Sequence, residues 1–351
     1  MDRKVVIIVI VLGVIAVSAV STLILLRVAK GGGCISQDNV FIVVYRYAKP
    51  LDNAYKSLAQ IMTEALKTNS SGKFNIELQL CYVELNDLPP DLRAKVEQQF
   101  KFYPVFGLKS QTLSSVDIPI VNIVFDKYGE GIYIAKPNIT WYLYLYLSQY
   151  YGFQYLDING VYAMIITVEK PKIYINATPI IGSKEARYYI FVYEDVGCPY
   201  CAKLYYEVFP KILELVNNGT IAILLKNLLV HEEVFEVQRY LVALYIATRD
   251  NELIYDVMEF IYGLLLKGSQ VTLNQVREYI INKYGKDVEI EKYLELAEGI
   301  INQEKEEASR YIIIGTPGII IWDNKNSIGI VVTGFKQAED LIKLINFLNK
   351  I

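Results

Sequence analysis

The chain of 351 residues is long enough for two domains of ordinary size, and its 53% hydrophobic content can fill two buried cores. A charged fraction of 21% and a formal net charge of −3 leave neither a basic stripe for nucleic acid nor a highly charged disordered chain. Four cysteines are too few for a disulfide-stapled scaffold, and a single histidine, His231, excludes a multi-histidine metal site.

Residues 1–33 come first. Val5 to Leu26 run without a charge between the basic residues Arg3, Lys4, Arg27 and Lys30. A signal-peptide core is typically ~7–15 residues and a spanning helix needs ~20, so the length predicts an uncleaved membrane anchor. Gly31, Gly32 and Gly33 read as a short flexible link. Basic residues on both flanks give no decisive orientation. Four N-x-S/T triplets, at Asn69, Asn138, Asn176 and Asn218, favour a single-pass protein of the cell membrane with the bulk of the chain extracytoplasmic.

Residues 34–157 predict an α/β unit. Val40–Tyr45 reads as a buried strand, and Pro50 and Asp52 open a helix with Leu51, Tyr55, Leu58, Met62 and Leu66 at helical spacing. A strand over Phe74–Val83, a helix from Pro89-Pro90 to about Phe102, strands near Ile118–Phe125 and Gly131–Ala135, and a helix over Thr140–Tyr151 complete it. The order βαβαββα resembles that of a thioredoxin-like domain, with Pro119 falling where that fold keeps a cis-proline before its third strand; another α/β sandwich with the same element order stays open. Such a domain would carry its cysteines at the turn after the first strand, where this chain has Ala48-Lys49-Pro50-Leu51, so the unit is expected to be redox-silent. Residues 158–178, mixed strand and loop, read as a linker.

From residue 179 to 351 the pattern repeats. Tyr189–Tyr193 is a strand, Cys198-Pro199-Tyr200-Cys201 opens a helix reaching about Val216, and Ile221–Leu225 is a second strand. A helical stretch over about 230–312 follows, broken near Gly268, Gly285 and Lys286. Thr316-Pro317 leads into the strand Gly318–Ile321, then the strand Ile328–Val332, and a last helix aligns Leu341, Leu344, Ile345 and Leu348. The fold class expected is α/β: two tandem thioredoxin-like domains, the second with a helical insertion, behind an N-terminal transmembrane helix.

The chemistry sits at Cys198 and Cys201. Three residues apart on a first helical turn, their sulfurs fall on one side within bonding reach. If Cys198 stands at the helix N-terminus, unpaired N–H groups and the helix dipole favour its thiolate, lowering its pKa from about 8.5. Pro199 at the first helical position has no N–H to lose. Cys201, deeper, would attack the mixed disulfide formed on Cys198. A lone CxxC is also consistent with half a zinc site or a structural disulfide, but zinc needs further ligands, and Cys34, Cys81 and His231 do not group in sequence.

The run Pro179-Ile180-Ile181-Gly182, Ala186 and Ile190 through Asp195-Val196-Gly197-Cys198-Pro199-Tyr200-Cys201 resembles the entry to a DsbA/DsbG-like thiol–disulfide oxidoreductase of the thioredoxin fold. So does the later Gly315-Thr316-Pro317-Gly318, similar to that family's cis-proline loop, and the similarity extends from about residue 176 to the end. By this resemblance Cys198 is the attacking thiol, Cys201 the resolving thiol and Thr316-Pro317 the substrate clamp. Glu194 or Asp195 would assist proton transfer at Cys201, although a solvated acid at a strand end fits either residue as well. His231 reads as a helix-start residue, and Pro210 as a kink in the active-site helix.

No metal and no organic cofactor is implied. The implied partners are folding proteins with cysteines and a membrane redox partner, with no nucleic acid; the first domain would supply substrate binding or the surface of a homodimer. The competing reading is a membrane-anchored chaperone or assembly factor in which the CxxC is only a structural disulfide. A Cys34–Cys81 bridge is conceivable on the oxidising side of a membrane, but Cys81 in a buried strand is also simply a core residue.

Overall fold

Two runs of β-branched and aromatic residues, Val40–Tyr45 and Tyr188–Glu194, each become an interior strand of a sheet, because such side chains pack well on a pleated, buried surface. The computed structural model describes residues 28–351 apart from residues 31, 71–72, 74, 116–117, 152–155 and 286–287. The run Val5–Leu26, expected to span a membrane, lies outside the described residues. Among those residues, no helix is long and apolar enough to cross a membrane. The chain divides into two units between Asp157 and Ile158.

The first unit comprises β1 (Val28–Lys30), β2 (Val40–Tyr45), α1 (Asp52–Asn69), β3 (Gln79–Glu84), α2 (Pro90–Gln99), β4 (Val105–Lys109), α3 (Pro119–Val124), β5 (Phe125–Gly129), β6 (Ile132–Ala135) and α4 (Pro137–Tyr151). Its strands lie in the order β1-β3-β2-β4-β6-β5. The β2–β3 pair is parallel, while β4 runs antiparallel to β2, and β6 antiparallel to β4. Helix α1 covers the sheet with Tyr55, Leu58, Met62 and Leu66 buried.

Two expectations for this unit are corrected, and one left open is answered. Pro119 does not precede a strand: it occupies the first turn of α3, where its missing N–H costs nothing. The run Ile118–Phe125 is therefore mostly helix. The strand of the third position is Val105–Lys109, and the cis bond before it is Tyr103–Pro104. Gly107 lies in that strand because a Cβ there would stand 2.7 Å from the Tyr133 carbonyl oxygen on the neighbouring strand. The bridge between Cys34 and Cys81 is present, with Cys81 in the middle of β3.

The second unit comprises β7 (Ile165–Thr167), β8 (Ile180–Gly182), β9 (Tyr188–Glu194), α5 (Pro199–Lys203), α6 (Phe209–Asn217), β10 (Ile221–Asn227), α7 (Phe235–Thr248), α8 (Asn251–Leu266), α9 (Leu273–Tyr284), α10 (Leu294–Arg310), β11 (Gly318–Asp323), β12 (Ile328–Thr333) and α11 (Ala338–Leu348). Within the unit the strand order is β8-β10-β9-β11-β12-β7. Here too the second strand, β10, runs parallel to β9, and β11 and β12 follow antiparallel. The segment 158–178, expected to be a linker, belongs to this unit: its strand β7 pairs with β12, placing Ile165 opposite Val331. A π-helical turn at Leu204–Val208 joins α5 to α6 and accommodates Pro210 in the first turn of α6.

Among the described residues the helical insertion holds the helices α7 to α10. Its breaks at Gly268 and Gly285 adopt φ of +75° and +73°, and Gly285 caps α9 in the left-handed region. A further break, at Arg249 (φ 58°), ends α7 without a glycine to announce it.

Candidate active site

Strand β9 ends at Glu194, and the turn Asp195–Gly197 delivers Cys198 to the N-cap of α5 with extended backbone, φ −86° and ψ 118°. Pro199 is the first helical residue, so the chain enters the helix without wasting a donor. The Cys198 carbonyl accepts from the N–H groups of Cys201 and Ala202, closing the first turn. Both thiols are free.

Opposite them lies the loop before β11. Thr316–Pro317 is a cis bond, and the Cys198 thiol lies 3.4 Å from the Thr316 carbonyl oxygen. Residues 198, 201 and 316 are thereby brought together from segments more than a hundred positions apart in the chain. Gly318 follows the proline because a Cβ at that point would collide with the Ile313 Cγ2 atom.

The two sulfurs sit in opposed electrostatic settings. The Cys198 thiol is brought down to about 6: the Cys201 thiol donates to it, and Thr316 and the N–H groups of Tyr200 and Cys201 assist, outweighing burial. Burial pushes Cys201 well up, and the neighbouring Cys198 and Glu194 charges add to it. One sulfur is thus poised as the anion and its partner as the neutral thiol.

Glu194 and Asp195, both named from the sequence as candidates for proton transfer, are fully enclosed rather than solvated at a strand end. Glu194 is raised to about 8 by burial, against the pull of the Tyr262 hydroxyl, which donates to its Oε2 at 3.1 Å. It faces a cavity of about 20 Å³, room for a single water molecule, lined also by Pro179, Asn227, Gln238 and Tyr245. Asp195 does something else. Its Oδ1 accepts from Gly197 N at 2.7 Å, and its Oδ2 from Val230 N at 2.6 Å and His231 N at 2.7 Å, with the His231 ring Nδ1 at 3.1 Å. Its acceptor sites are occupied in holding the active-site turn to the start of the helical insertion. His231 is the N-cap of the short 3₁₀ turn Glu232–Val234.

The sequence reading did not single out Tyr262, nor the buried polar chain beyond it. Val196 N donates to Gln238 Oε1, Gln238 Nε2 donates to Asn227 Oδ1, and Asn227 donates twice to Glu304 Oε2. Lys226, wholly buried, bridges Glu304 Oε1 and Glu307 Oε2 at 2.8 Å each. A lysine at an inward position of an apolar strand was the available signal; the two glutamates were hidden among the charged residues of α10.

Three large hydrophobic side chains on the segments that build the site are exposed. Tyr200, Val230 and Ile314, one from each of the three segments that meet there, are 55%, 48% and 52% exposed. Among the described residues no cluster of His, Cys, Asp or Glu fit to hold a metal ion is found.

Residues 175–345 match the family model described as Thioredoxin. A search of the curated proteins finds no match. Among solved structures, the catalytic domain of Proteus mirabilis ScsC is similar at 16% identity, covering 50% of this chain and 90% of that one, with a TM-score of 0.40. Oxidised BdbD from Bacillus subtilis is similar at 16% identity, covering 50% and 95%, with a TM-score of 0.41. Wolbachia pipientis alpha-DsbA1 is similar at 14% identity, covering 49% and 91%, with a TM-score of 0.39. The matched segment holds the cysteine pair and the cis-proline loop together. The likeness is to a thioredoxin-type segment, and it falls on the half of the chain that carries the candidate site.

Proposed function

We propose that this chain is a membrane-anchored extracytoplasmic catalyst of disulfide exchange in proteins, acting through Cys198 and Cys201. The observation that carries the reading is the Cys198 thiol at a helix N-terminus, held toward its anion at about 6, with the Thr316 carbonyl 3.4 Å away. In the oxidising direction, a client thiolate attacks Cys198 of the Cys198–Cys201 disulfide. Cys201 leaves and takes up a proton, with Glu194 as a buried acid whose charge acts on it. The client's second thiolate then attacks the client sulfur and expels Cys198, a good leaving group because its thiolate is stable near neutral pH. Reduction of a client runs the same steps backward, and the reduction potential sets which prevails.

The first unit, with the strand order of a thioredoxin-like core and no cysteines at Ala48–Leu51, would serve as a redox-silent tandem domain for substrate binding or homodimer formation. The charge-free run Val5–Leu26 and a bridged Cys34–Cys81 pair both favour the oxidising side of a membrane. There a membrane redox partner, such as a quinone-linked oxidase, would return Cys198 and Cys201 to the disulfide. Replacing Cys198 with Ala is expected to abolish turnover of insulin or scrambled RNase; undiminished turnover would end the proposal. A reduction potential below about −300 mV would instead mark the pair as a structural bridge in a binding protein.

A further inference from the structure

The Cys34–Cys81 bridge joins residues 47 positions apart, and its two cysteines are 1% and 0% exposed. Cys81 lies inside the sheet, opposite Ala29 on one neighbouring strand and Ile42 on the other. Exchange requires an attacking sulfur to approach the sulfur it displaces. No protein catalyst can do that at Cys81 once β1, β2 and β3 have paired, so the bridge is made while this unit is still open. The order of synthesis adds a second constraint. Cys34 and Cys81 both precede Cys198 in the chain, and β2 and β3 are near neighbours in sequence. The first unit can therefore close its sheet before the catalytic pair of the same chain exists.

From these two constraints, and resting on the function proposed above, we infer that a second copy of this chain is a client: the Cys198–Cys201 disulfide of a finished copy installs the Cys34–Cys81 bridge in a new one. The thiolate of Cys34 or Cys81 attacks Cys198, the Cys198–Cys201 bond breaks, and Cys201 leaves to become a thiol. The remaining client thiolate then attacks the mixed disulfide, the Cys34–Cys81 bond forms, and Cys198 leaves as a thiolate. Two electrons pass from the new chain to the finished one, and the new chain gives up its two thiol protons. The exposed Tyr200, Val230 and Ile314, each on a segment that builds the site, suit such a client, because the unfolded segment around Cys81 (Leu78, Leu80, Tyr82 and Val83) presents apolar side chains that are buried only later.

The test uses full-length protein in detergent. Reduced, denatured Cys198→Ser/Cys201→Ser protein is the client. It is refolded in glutathione disulfide with or without a substoichiometric amount of oxidised wild-type protein, and closure of Cys34–Cys81 is followed by thiol trapping and mass spectrometry. Closure about tenfold faster with wild-type protein, and no faster with the Cys198→Ser protein in its place, supports the inference. Equal rates, from a wild-type preparation that still oxidises a reduced cysteine-containing peptide, overturn it and leave the proposed function standing. A preparation that accelerates neither reaction overturns both.

Discussion

Cys198 and Cys201 share one helical turn, yet their surroundings push their thiols in opposite directions. Because the thiolate is the reactive form, alkylation of Cys198 should rise from acid pH through a midpoint of about 6 and then level off. A midpoint near the ordinary value of about 8.5 would show that the helix terminus and Thr316 do not act on it. Glu194 is the other titrating group of the site. Its folded value of about 8 lies above its ordinary 4.5, so the folded protein keeps this proton where the unfolded chain has lost it. The stability it contributes is complete below about 4.5 and is lost as pH rises through about 8. Glu194→Gln cannot ionise, so its advantage in denaturant stability over the parent should widen between these values. Resolution of a mixed disulfide at Cys198 should slow by about tenfold or more in that variant, measured by stopped-flow release of a labelled peptide. The cysteine pair and the two acids were legible in the sequence because CPYC is a local motif. The division of labour between Glu194 and Asp195 was not, since it depends on Tyr262 and the 230–231 loop, which only the fold brings near.

At the scale of elements, what sequence showed and what it hid follow from range. Helix α1 and the strands β2 and β9 carry their own periodicity and were readable. The strand Val105–Lys109 was missed because it is short, holds a glycine and follows a proline, while Ile118–Phe125 has apolar content that suits strand or helix equally. In the second unit the insertion is fastened to the sheet by a buried lysine between two buried glutamates. Burial raises Glu304 in spite of Lys226, so the cluster is costly to hold and more costly to break. Lys226→Met should destabilise the protein by about 3–5 kcal/mol in denaturant melts, because it leaves two carboxyl groups without their cation. Replacing Lys226, Glu304 and Glu307 together by apolar residues of similar volume should recover much of that loss.

Across the whole molecule, the two units are stabilised by different means. The first is closed by a covalent bridge between residues 47 apart, worth about 4 kcal/mol if it acts by restricting the unfolded chain. The second relies on its sheet, its helices and the buried polar chain. In the Cys198→Ser/Cys201→Ser protein, a reductant should therefore lower the thermal transition of residues 34–157, read by hydrogen exchange and mass spectrometry, and an unmoved transition there would contradict this. Gly318 carries a consequence of another kind. A Cβ there would collide with Ile313 Cγ2, so even a single methyl must displace the Ile313 side chain, which opens the stretch from 313 to 316. That stretch ends at Thr316, whose side chain helps to lower the Cys198 thiol. A side chain at position 318 is thus expected to press, through Ile313, on the loop that faces the nucleophile. Evolution, or an engineer, could detune the thiol from that position without touching either sulfur.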